Sequence, residues 1–525
     1  MADRQWTRVA KESDLKEGTP LYADTGDDEQ VVVLRTAEGV TAFKSACSHY
    51  GAPLGDGLTR GAEATCPWHH ARFDVRTGRM LACPAHDDLP ALPVKVEEGE
   101  VYVGKPEPSV VEMPEGDDNR TFVIVGGGAA GHAAAEELRR GGFAGKIVML
   151  TSESVLPYDR PPLSKGFLKG EKDPDSLLLH DRDFYDRLQI DVRFNHYVTG
   201  LNPAERTLSL AKHDPVTYDK LLIATGGQPR KPDLPGAELQ GVHLLRSRAD
   251  AEALLAAIEK TKKAVIVGAG FIGTEASAAL RGRDIETHVV APEAKLMSHV
   301  LGDRLSEWLK KVHERNGVQL HLGRKVKEIV GNERAEAVVL DDDSRIEADL
   351  VLLAMGVKPA VEFLGDTDLI EDGAVTVNPQ LQTANADIYA AGDIARFPDP
   401  RTGEPCRVEH WVHAERQGQH AARSMLGDAA PWSEVPFFWS WQHDEKFSYI
   451  GHATDYDEIV LRGDLNSDEG CIAGFYKDDV LCAIAATGRG SETIAIEMML
   501  RDGDSVSAEQ FADTNTDLVS LALSE

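Results

Sequence analysis

Thr121-Phe-Val-Ile-Val-Gly-Gly-Gly-Ala-Ala-Gly131 joins an apolar run to closely spaced glycines. The run from Thr121 to Val125 is typical of a buried strand, and the glycines at 126, 128 and 131 follow Gly-x-Gly-x-x-Gly spacing. The Ala/Glu/Leu-rich residues 133–140 then indicate a helix. Gly126, Gly128 and Gly131 would let the backbone approach a pyrophosphate at the helix N-terminus. We therefore predict a dinucleotide site here.

The same pattern returns at Ala264-Val-Ile-Val267, which is followed by Gly268, Gly270 and Gly273. Two copies of strand, glycine turn and helix predict two doubly wound α/β folds in one chain. The alternative is that the glycine loops are only packing turns.

An acidic residue follows each glycine loop at the distance where a carboxylate binds a ribose hydroxyl. These residues are Glu153 and Glu293, each about 20 residues after the last glycine of its loop. Near Glu293 the only basic residue is Lys295, whereas NADPH would call for an arginine. The second site is therefore predicted to bind NADH rather than NADPH.

Cys47-Ser-His49 and Cys66-Pro-Trp-His69 form a second motif, near the N-terminus. Two thiolates and two imidazoles, one of each from two loops, are the ligand set of a Rieske [2Fe–2S] cluster. Cys47, His49, Cys66 and His69 are accordingly the predicted iron ligands. A structural zinc site is the alternative, because zinc also accepts two Cys and two His.

Cys66-Pro-Trp-His-His-Ala-Arg-Phe-Asp74 resembles Rieske-type ferredoxins, and the likeness covers about the first 105 residues. Ala52 and Trp68 stand where high-potential Rieske proteins carry extra cysteines, so the resemblance implies the ferredoxin-like, low-potential branch. His70 stands where such ferredoxins often have glycine. We interpret it as a neighbour of the cluster or an exposed residue rather than a ligand.

Residues 120–525 resemble FAD-dependent pyridine nucleotide oxidoreductases, in the branch of oxygenase-coupled ferredoxin reductases and apoptosis-inducing-factor-like proteins. The motifs that carry the likeness are Pro157-Tyr-Asp-Arg-Pro-Pro-Leu-Ser-Lys165, Leu222-Ile-Ala-Thr-Gly226, Leu353-Ala-Met-Gly356 and Ile388-Tyr-Ala-Ala-Gly-Asp393. The resemblance implies cofactor contacts from Arg160, Lys165, Thr225, Gly226, Gly356, Asp393 and Trp439, with Trp411 as a second aromatic residue at the site.

The resemblance also places Glu275 beside the nicotinamide and near Lys165, as a catalytic pair. A lysine near the flavin would stabilise negative charge as hydride arrives, while the carboxylate would hold that lysine. The alternative is a surface lysine and a helical glutamate that never meet. No Cys-x-x-Cys or Cys-x4-Cys occurs in residues 120–525, which excludes a flavin-coupled redox disulfide there.

The amino-acid composition limits the binding partners and the cellular compartment that we expect for this protein. The net charge is −31, from 87 acidic and 56 basic residues, which argues against binding to nucleic acid or an anionic membrane. A salt-rich cell interior is one alternative reason for the acidity. The sequence has no signal-like apolar start and no long apolar span. Six cysteines are too few for a disulfide framework, so we expect a cytoplasmic protein with free thiols at Cys83, Cys406, Cys471 and Cys482.

The predicted fold is multidomain: an all-β Rieske domain, α/β doubly wound FAD and NAD domains of the glutathione-reductase-like kind, and a small α+β C-terminal domain. The predicted bounds are 1–105 for the Rieske domain, 106–119 for a linker, 120–242 and 369–430 for the two parts of the FAD domain, 243–368 for the NAD(P) domain, and 431–525 for the C-terminal reductase-type domain.

The predicted activity is that of a ferredoxin-reductase-type enzyme that takes electrons from NADH through FAD to its own cluster, and on to an acceptor such as an oxygenase. Three alternatives stay open. The flavin could reduce oxygen or a quinone directly, with the cluster peripheral. The chain could be an apoptosis-inducing-factor-like redox sensor in which turnover is incidental. Electrons could also flow in reverse, from an external donor to NAD.

Overall fold

The computed structural model describes residues 6–26, 29–106, 110–365 and 367–524. Outside these ranges lie residues 1–5 and 27–28 of the predicted Rieske domain, 107–109 of the predicted linker, 366 of the predicted NAD(P) domain and 525 of the predicted C-terminal domain. In the part of the chain that is described, no helix is both long and apolar enough to cross a bilayer.

The N-terminal region is all-β, as predicted, because its apolar residues come in short runs broken by Gly and Pro. Its described residues form three antiparallel sheets. The first consists of Thr7–Lys11, Glu100–Val103 and Val94–Glu97, and the second of Leu21–Asp24, Gln30–Thr36 and Gly39–Lys44. The third consists of Leu58–Arg60, Glu63–Thr65, Arg72–Asp74 and Met80–Ala82. Short 3-10 helices cover Glu12–Asp14 and Leu54–Asp56. One cysteine loop follows Gly39–Lys44, and the other joins Glu63–Thr65 to Arg72–Asp74.

Strand Thr121–Val125, which leads into the first glycine loop, is the centre of a five-stranded parallel sheet. The strand order is Ile190–Arg193, Lys146–Leu150, Thr121–Val125, Lys220–Ile223 and Ile388–Ala390. All five strands are almost wholly apolar where they are buried, as a parallel sheet covered on both faces requires. Helices Ala129–Arg140 and Trp411–Leu426 pack closely against each other at this sheet.

Smaller elements complete the FAD half. Two short helices cover Gly166–Lys169 and Arg182–Arg187, and 3-10 helices cover Pro161–Ser164, Pro174–Leu177 and Glu362–Leu364. One small sheet consists of Val198–Asn202, Thr207–Leu210 and Val216–Thr217, and a second consists of Gly227–Pro229 and Val357–Pro359. A third consists of Ile370–Glu371, Ala374–Thr376, Ala395–Pro398 and Pro405–Cys406. Strands Gly227–Pro229 and Val357–Pro359 pair with each other, and they lie in the two chain segments that connect the first nucleotide fold with the second.

The second nucleotide fold repeats the first. Its parallel sheet has the order Val242–His243, Leu350–Leu353, Lys263–Val267, Glu286–Ala291 and Val318–Leu322. The helices are Arg248–Ile258, Phe271–Arg281 and Ser298–Arg315, the last interrupted at Gly302, and a further sheet holds Val326–Gly331, Ala335–Leu340 and Arg345–Glu347.

The C-terminal region is α+β, as predicted. Five antiparallel strands lie in the order Phe437–Gln442, Glu445–Gly451, Val480–Gly488, Gly470–Lys477 and Glu458–Gly463, followed by helices Gly490–Asp502, Ala508–Ala512 and Leu518–Leu523. The predicted multidomain fold is therefore confirmed, while the numbered domain boundaries remain predictions.

Candidate redox site

The four predicted cluster ligands come together at the tips of two loops. The thiols of Cys47 and Cys66 are buried, and neither is in a disulfide. The Nδ1 atoms of His49 and His69 lie 3.1 Å apart. Matching backbone bonds, each 2.8 Å long, close the loops, from Cys47 N to the carbonyl of Ala52 and from Cys66 N to the carbonyl of residue 71.

The protonation of the two imidazoles suits iron. Burial lowers the pKa of His49 to about 3 and also lowers that of His69, so both rings are neutral, as metal ligands must be. The hydrogen bond from Cys47 lowers the pKa of the Cys66 thiol to about 7, helped by backbone hydrogen bonds from residues 68 and 69. Two thiols and two neutral imidazoles, gathered from two loops, fit a Rieske cluster.

A cavity of about 490 Å³ lies where the FAD fold, the second nucleotide fold and the C-terminal sheet meet. Ten of the predicted cofactor and catalytic residues line it: Gly126, Gly128, Glu153, Arg160, Lys165, Thr225, Gly226, Glu275, Asp393 and Trp439. Trp411 lines it as well. The predicted FAD contacts, dispersed over more than three hundred residues, therefore meet at a single cavity together with Glu275.

The first glycine loop has the shape that a dinucleotide requires. Gly126 has φ +115°, and a Cβ added there would lie 2.2 Å from the carbonyl oxygen of Ala224. A Cβ on Gly131 would lie 1.9 Å from the carbonyl oxygen of Gly126. Gly128 caps the helix with no side chain, so the N-terminal backbone amides remain open to an anion at the cavity. This cradle fits the pyrophosphate of FAD.

The charged groups of the cavity already have protein partners. Glu153 accepts hydrogen bonds of 2.7 Å from both the Tyr158 hydroxyl and the Arg160 guanidinium. Asp393 pairs with Arg246 at 2.9 Å. Sequence reasoning missed Tyr158, although it lies within the quoted Pro157–Lys165 motif, and it missed Arg246, which no motif marked.

Lys165 and Glu275 meet, with Nζ and Oε2 2.8 Å apart. The Glu275 carboxylate also accepts hydrogen bonds from the hydroxyls of Ser164 at 2.5 Å and Ser440 at 2.6 Å. Both serines were missed, and each directly adjoins a residue that the motifs did identify, Lys165 and Trp439. Because three donors hold this buried carboxylate, it can fix the lysine ammonium at the cavity wall.

The glycines of the second loop repeat the close packing of the first but do not line the cavity, although Phe271 and Ile272 between them do. A Cβ on Gly268 would lie 2.2 Å from the carbonyl oxygen of residue 354, and one on Gly273 would lie 2.1 Å from that of Gly268. Gly270 has open space around it, Gly356 has φ +78°, and Glu293 is exposed. The helix that this loop opens supplies Glu275 to the cavity.

Trp439 connects the cavity with the cluster loops. Its indole lines the cavity, and its ring centroid lies 3.9 Å from that of His69 and 6.1 Å from that of His49. Tyr50 stacks on His49 at 3.8 Å and donates a hydrogen bond to Asp159, next to the cavity residue Arg160. The predicted iron ligands and the predicted flavin site are thus in direct contact through side chains.

A buried ionic network holds the cluster loop against the C-terminal domain. His70 pairs with Glu497, Glu497 binds Arg416 at 2.8 Å, and Arg416 donates to the carbonyl of His70 at 2.7 Å. Arg72 of the Rieske region pairs with Glu434. His70 is buried with φ +58°, a conformation that glycine adopts freely, so it is a contact residue and not an exposed one.

Comparisons with known proteins agree with this arrangement. The pyridine nucleotide-disulphide oxidoreductase model matches residues 120–418, the Rieske [2Fe-2S] domain model matches 5–93, and the reductase C-terminal model matches 437–522. Apoptosis-inducing factor 3 of Homo sapiens is 31% identical over 495 residues, which are 91% of this chain and 81% of that protein.

Two further relatives cover the reductase part. The ferredoxin–NAD(+) reductase component of the biphenyl dioxygenase system of Paraburkholderia xenovorans is 33% identical, over 76% of this chain and 98% of its own. The crystal structure of the ferredoxin reductase for the CYP199A2 system of Rhodopseudomonas palustris superposes with a TM-score of 0.74 at 34% identity, covering 77% of this chain and all of that one.

Proposed function

Since the chain belongs to the pyridine nucleotide-disulphide oxidoreductase family and carries its own Rieske domain, we propose that it transfers electrons from NADH to a separate protein acceptor of an oxygenase system. The observation that carries this proposal is the contact of Trp439 with both the flavin cavity and the ring of His69. When bound, FAD accepts hydride from NADH and releases electrons singly, and the cluster accepts them one at a time.

The protein's own groups have separate tasks in this proposal. Gly126, Gly128 and Gly131 shape the pyrophosphate cradle, and the Lys165 ammonium provides positive charge where the flavin gains electrons. Glu275 positions that lysine through the 2.8 Å ion pair.

The remaining site residues keep the roles predicted for them. Glu153, Arg160, Thr225, Gly226, Asp393 and Trp439 are proposed FAD contacts, Gly268, Gly270, Gly273, Glu293 and Gly356 are proposed NADH contacts, and Cys47, His49, Cys66 and His69 are the proposed iron ligands.

An acceptor protein is favoured over oxygen or a quinone for two reasons. The relatives named above include a ferredoxin–NAD(+) reductase component of a dioxygenase system and a ferredoxin reductase of a CYP199A2 system. In this chain, Trp68, directly before the ligand His69, is 43% exposed. An acceptor that contacts this indole would lie next to an iron ligand on the side that the reductase leaves uncovered.

An anaerobic NADH titration tests the proposed path, with flavin absorbance and the rhombic Rieske signal in electron paramagnetic resonance recorded on the same sample. We expect the signal to grow as the flavin bleaches. In Cys66→Ser, the flavin should still bleach while the signal is absent. If the wild-type signal appears only with dithionite, the cluster is not reduced through the flavin, and direct flavin oxidation or reverse transfer replaces this proposal.

A further inference from the structure

A group of histidines separate from the cluster ligands lies where the Rieske region meets the FAD fold. His86 comes from the loop after strand Met80–Ala82, His132 lies in helix Ala129–Arg140, and His180 lies two residues before the helix that begins at Arg182. Their ring centroids are 5.1, 5.3 and 5.9 Å apart. The three rings therefore surround one point, although they come from three separate segments of the chain.

The three rings converge on one carboxylate oxygen. His86 Nδ1, His132 Nε2 and His180 Nε2 each lie 3.8 Å from Oε2 of Glu136. Among the described residues, none of these three nitrogens has a hydrogen-bond partner. His132 and Glu136 are almost fully buried, where a polar atom without a hydrogen-bond partner is unfavourable. Three such atoms aimed at one oxygen indicate a missing ligand rather than chance packing.

The other polar atoms of the same residues are held in place. Arg140 donates to Oε1 of Glu136 at 2.8 Å, which leaves Oε2 directed at the rings. Tyr185 hydrogen-bonds His132 Nδ1 at 3.1 Å, so Nε2 is the nitrogen left over. His86 Nε2 lies 3.3 Å from Glu415. Metal-binding histidines and carboxylates are typically oriented by such outer contacts.

We propose that His86, His132, His180 and Glu136 bind one divalent first-row transition-metal ion, with zinc as the expected occupant. Three imidazole nitrogens and one carboxylate oxygen are a common zinc ligand set, and bonds of about 2.0–2.1 Å in a tetrahedron would set neighbouring ligand atoms about 3.4 Å apart. The ligand atoms of His86, His132 and Glu136 lie within 4.8 Å of one another. His180 Nε2 lies 3.8 Å from Glu136 Oε2 but farther than 4.8 Å from another member of the group, so this ring has to move inwards to complete the set.

The position of the site assigns it a structural task. With His180 moved in as the fourth ligand, the protein would fill the coordination shell of zinc and leave no position open for a substrate. The ion would fasten the His86 loop of the Rieske region to the FAD-fold helix that carries His132 and Glu136. A second cavity, of about 440 Å³, is lined by His180 and Asp87 and offers an access route. This proposal does not depend on the direction of electron flow.

Zinc binding to the full-length holoprotein tests the site. The protein is first dialysed against a chelator and then against micromolar Zn²⁺, and zinc and iron per chain are determined by mass spectrometry. We expect wild type to retain one zinc per chain beyond its two irons, and zinc to raise its melting temperature because only the folded chain binds it. Glu136→Gln and His132→Gln should lose both the zinc and the shift.

Two further variants keep the result interpretable. His180→Gln removes a ligand that lies outside helix Ala129–Arg140, so a loss of zinc in this variant does not depend on a change within that helix. His321→Gln is the matched control. It also removes one member of a close histidine pair, with His288 Nδ1 3.0 Å from His321 Nε2, but this pair lies in the second nucleotide fold and not at the proposed zinc site. Circular dichroism, flavin absorbance and the Rieske signal verify folding and show that zinc has not replaced iron.

Three outcomes would overturn the proposal. Wild type could retain no zinc, in which case a proton shared between His86 and the carboxylates of Glu136 and Glu415 occupies the space. Folded Glu136→Gln and His180→Gln could retain as much zinc as wild type. His321→Gln could lose as much zinc as they do, which would mark the binding as unspecific.

Discussion

Glu497→Gln is the substitution with the clearest energetic consequence. Glu497 is almost fully buried between Arg416, whose Nη1 lies 2.8 Å away, and His70. Although burial alone would raise the pKa of this carboxyl, Arg416 and His70 lower it from 4.5 to about 2. At about 1.4 kcal/mol per pH unit, that lowering corresponds to about 3 kcal/mol of folding stability at neutral pH.

The pH dependence follows from the direction of the lowering. A carboxyl whose pKa falls on folding stabilises the folded chain fully above its unfolded pKa, here 4.5. The contribution then declines as the pH falls towards 2, and about half of it remains near pH 3. In Glu497→Gln this contribution is absent at every pH. The difference between wild type and variant should therefore shrink as the solution is acidified.

Urea unfolding followed by tryptophan fluorescence and circular dichroism, at several values between pH 7 and pH 3, measures this difference. Asp502→Asn is the matched control, because Asp502 lies in the same helix and pairs with Arg60 across the same interface, but is one-third exposed. We expect it to cost less than about 1 kcal/mol. The reasoning is refuted if Glu497→Gln costs no more than Asp502→Asn at pH 7, or if its cost does not change with pH.

Three further substitutions test the redox site. Trp439→Ala should leave flavin reduction by NADH intact but slow the appearance of the Rieske signal after rapid mixing. The control Trp441→Ala changes an indole that is 58% exposed and should alter neither rate. Equal slowing of the Rieske signal in both variants would contradict the role of Trp439. Lys165→Met should slow flavin reduction by about 10²-fold with FAD content unchanged, because it removes the charge near the flavin; a wild-type rate in stopped-flow absorbance would exclude that role. Gly131→Ala should yield protein without FAD, since its Cβ would lie 1.9 Å from the carbonyl oxygen of Gly126. The control Gly270→Ala should keep its flavin spectrum, because no atom lies within 4 Å of the position of its Cβ. If both variants bind FAD equally, the steric argument is disproved.

The sequence by itself determined the fold class and the cofactor set, because these depend on local patterns. A buried strand, a glycine turn and a helix form one continuous segment, and residues 121–140 carry all three signals. Likewise, each cluster loop offers one cysteine and one histidine within four residues. The family resemblance added the pairing of Lys165 with Glu275, which sequence spacing alone does not supply.

Only the tertiary structure decided how the Rieske region packs against the reductase part of the chain. The sequence predicted a tethered Rieske domain, whereas the structure has it docked through Trp439 and the Glu497 network. Nothing local marks Ser440 as a partner of Glu275, or His86 as a neighbour of His132. Such contacts join residues far apart in the chain, and the side-chain packing that selects them exists only once every domain has folded.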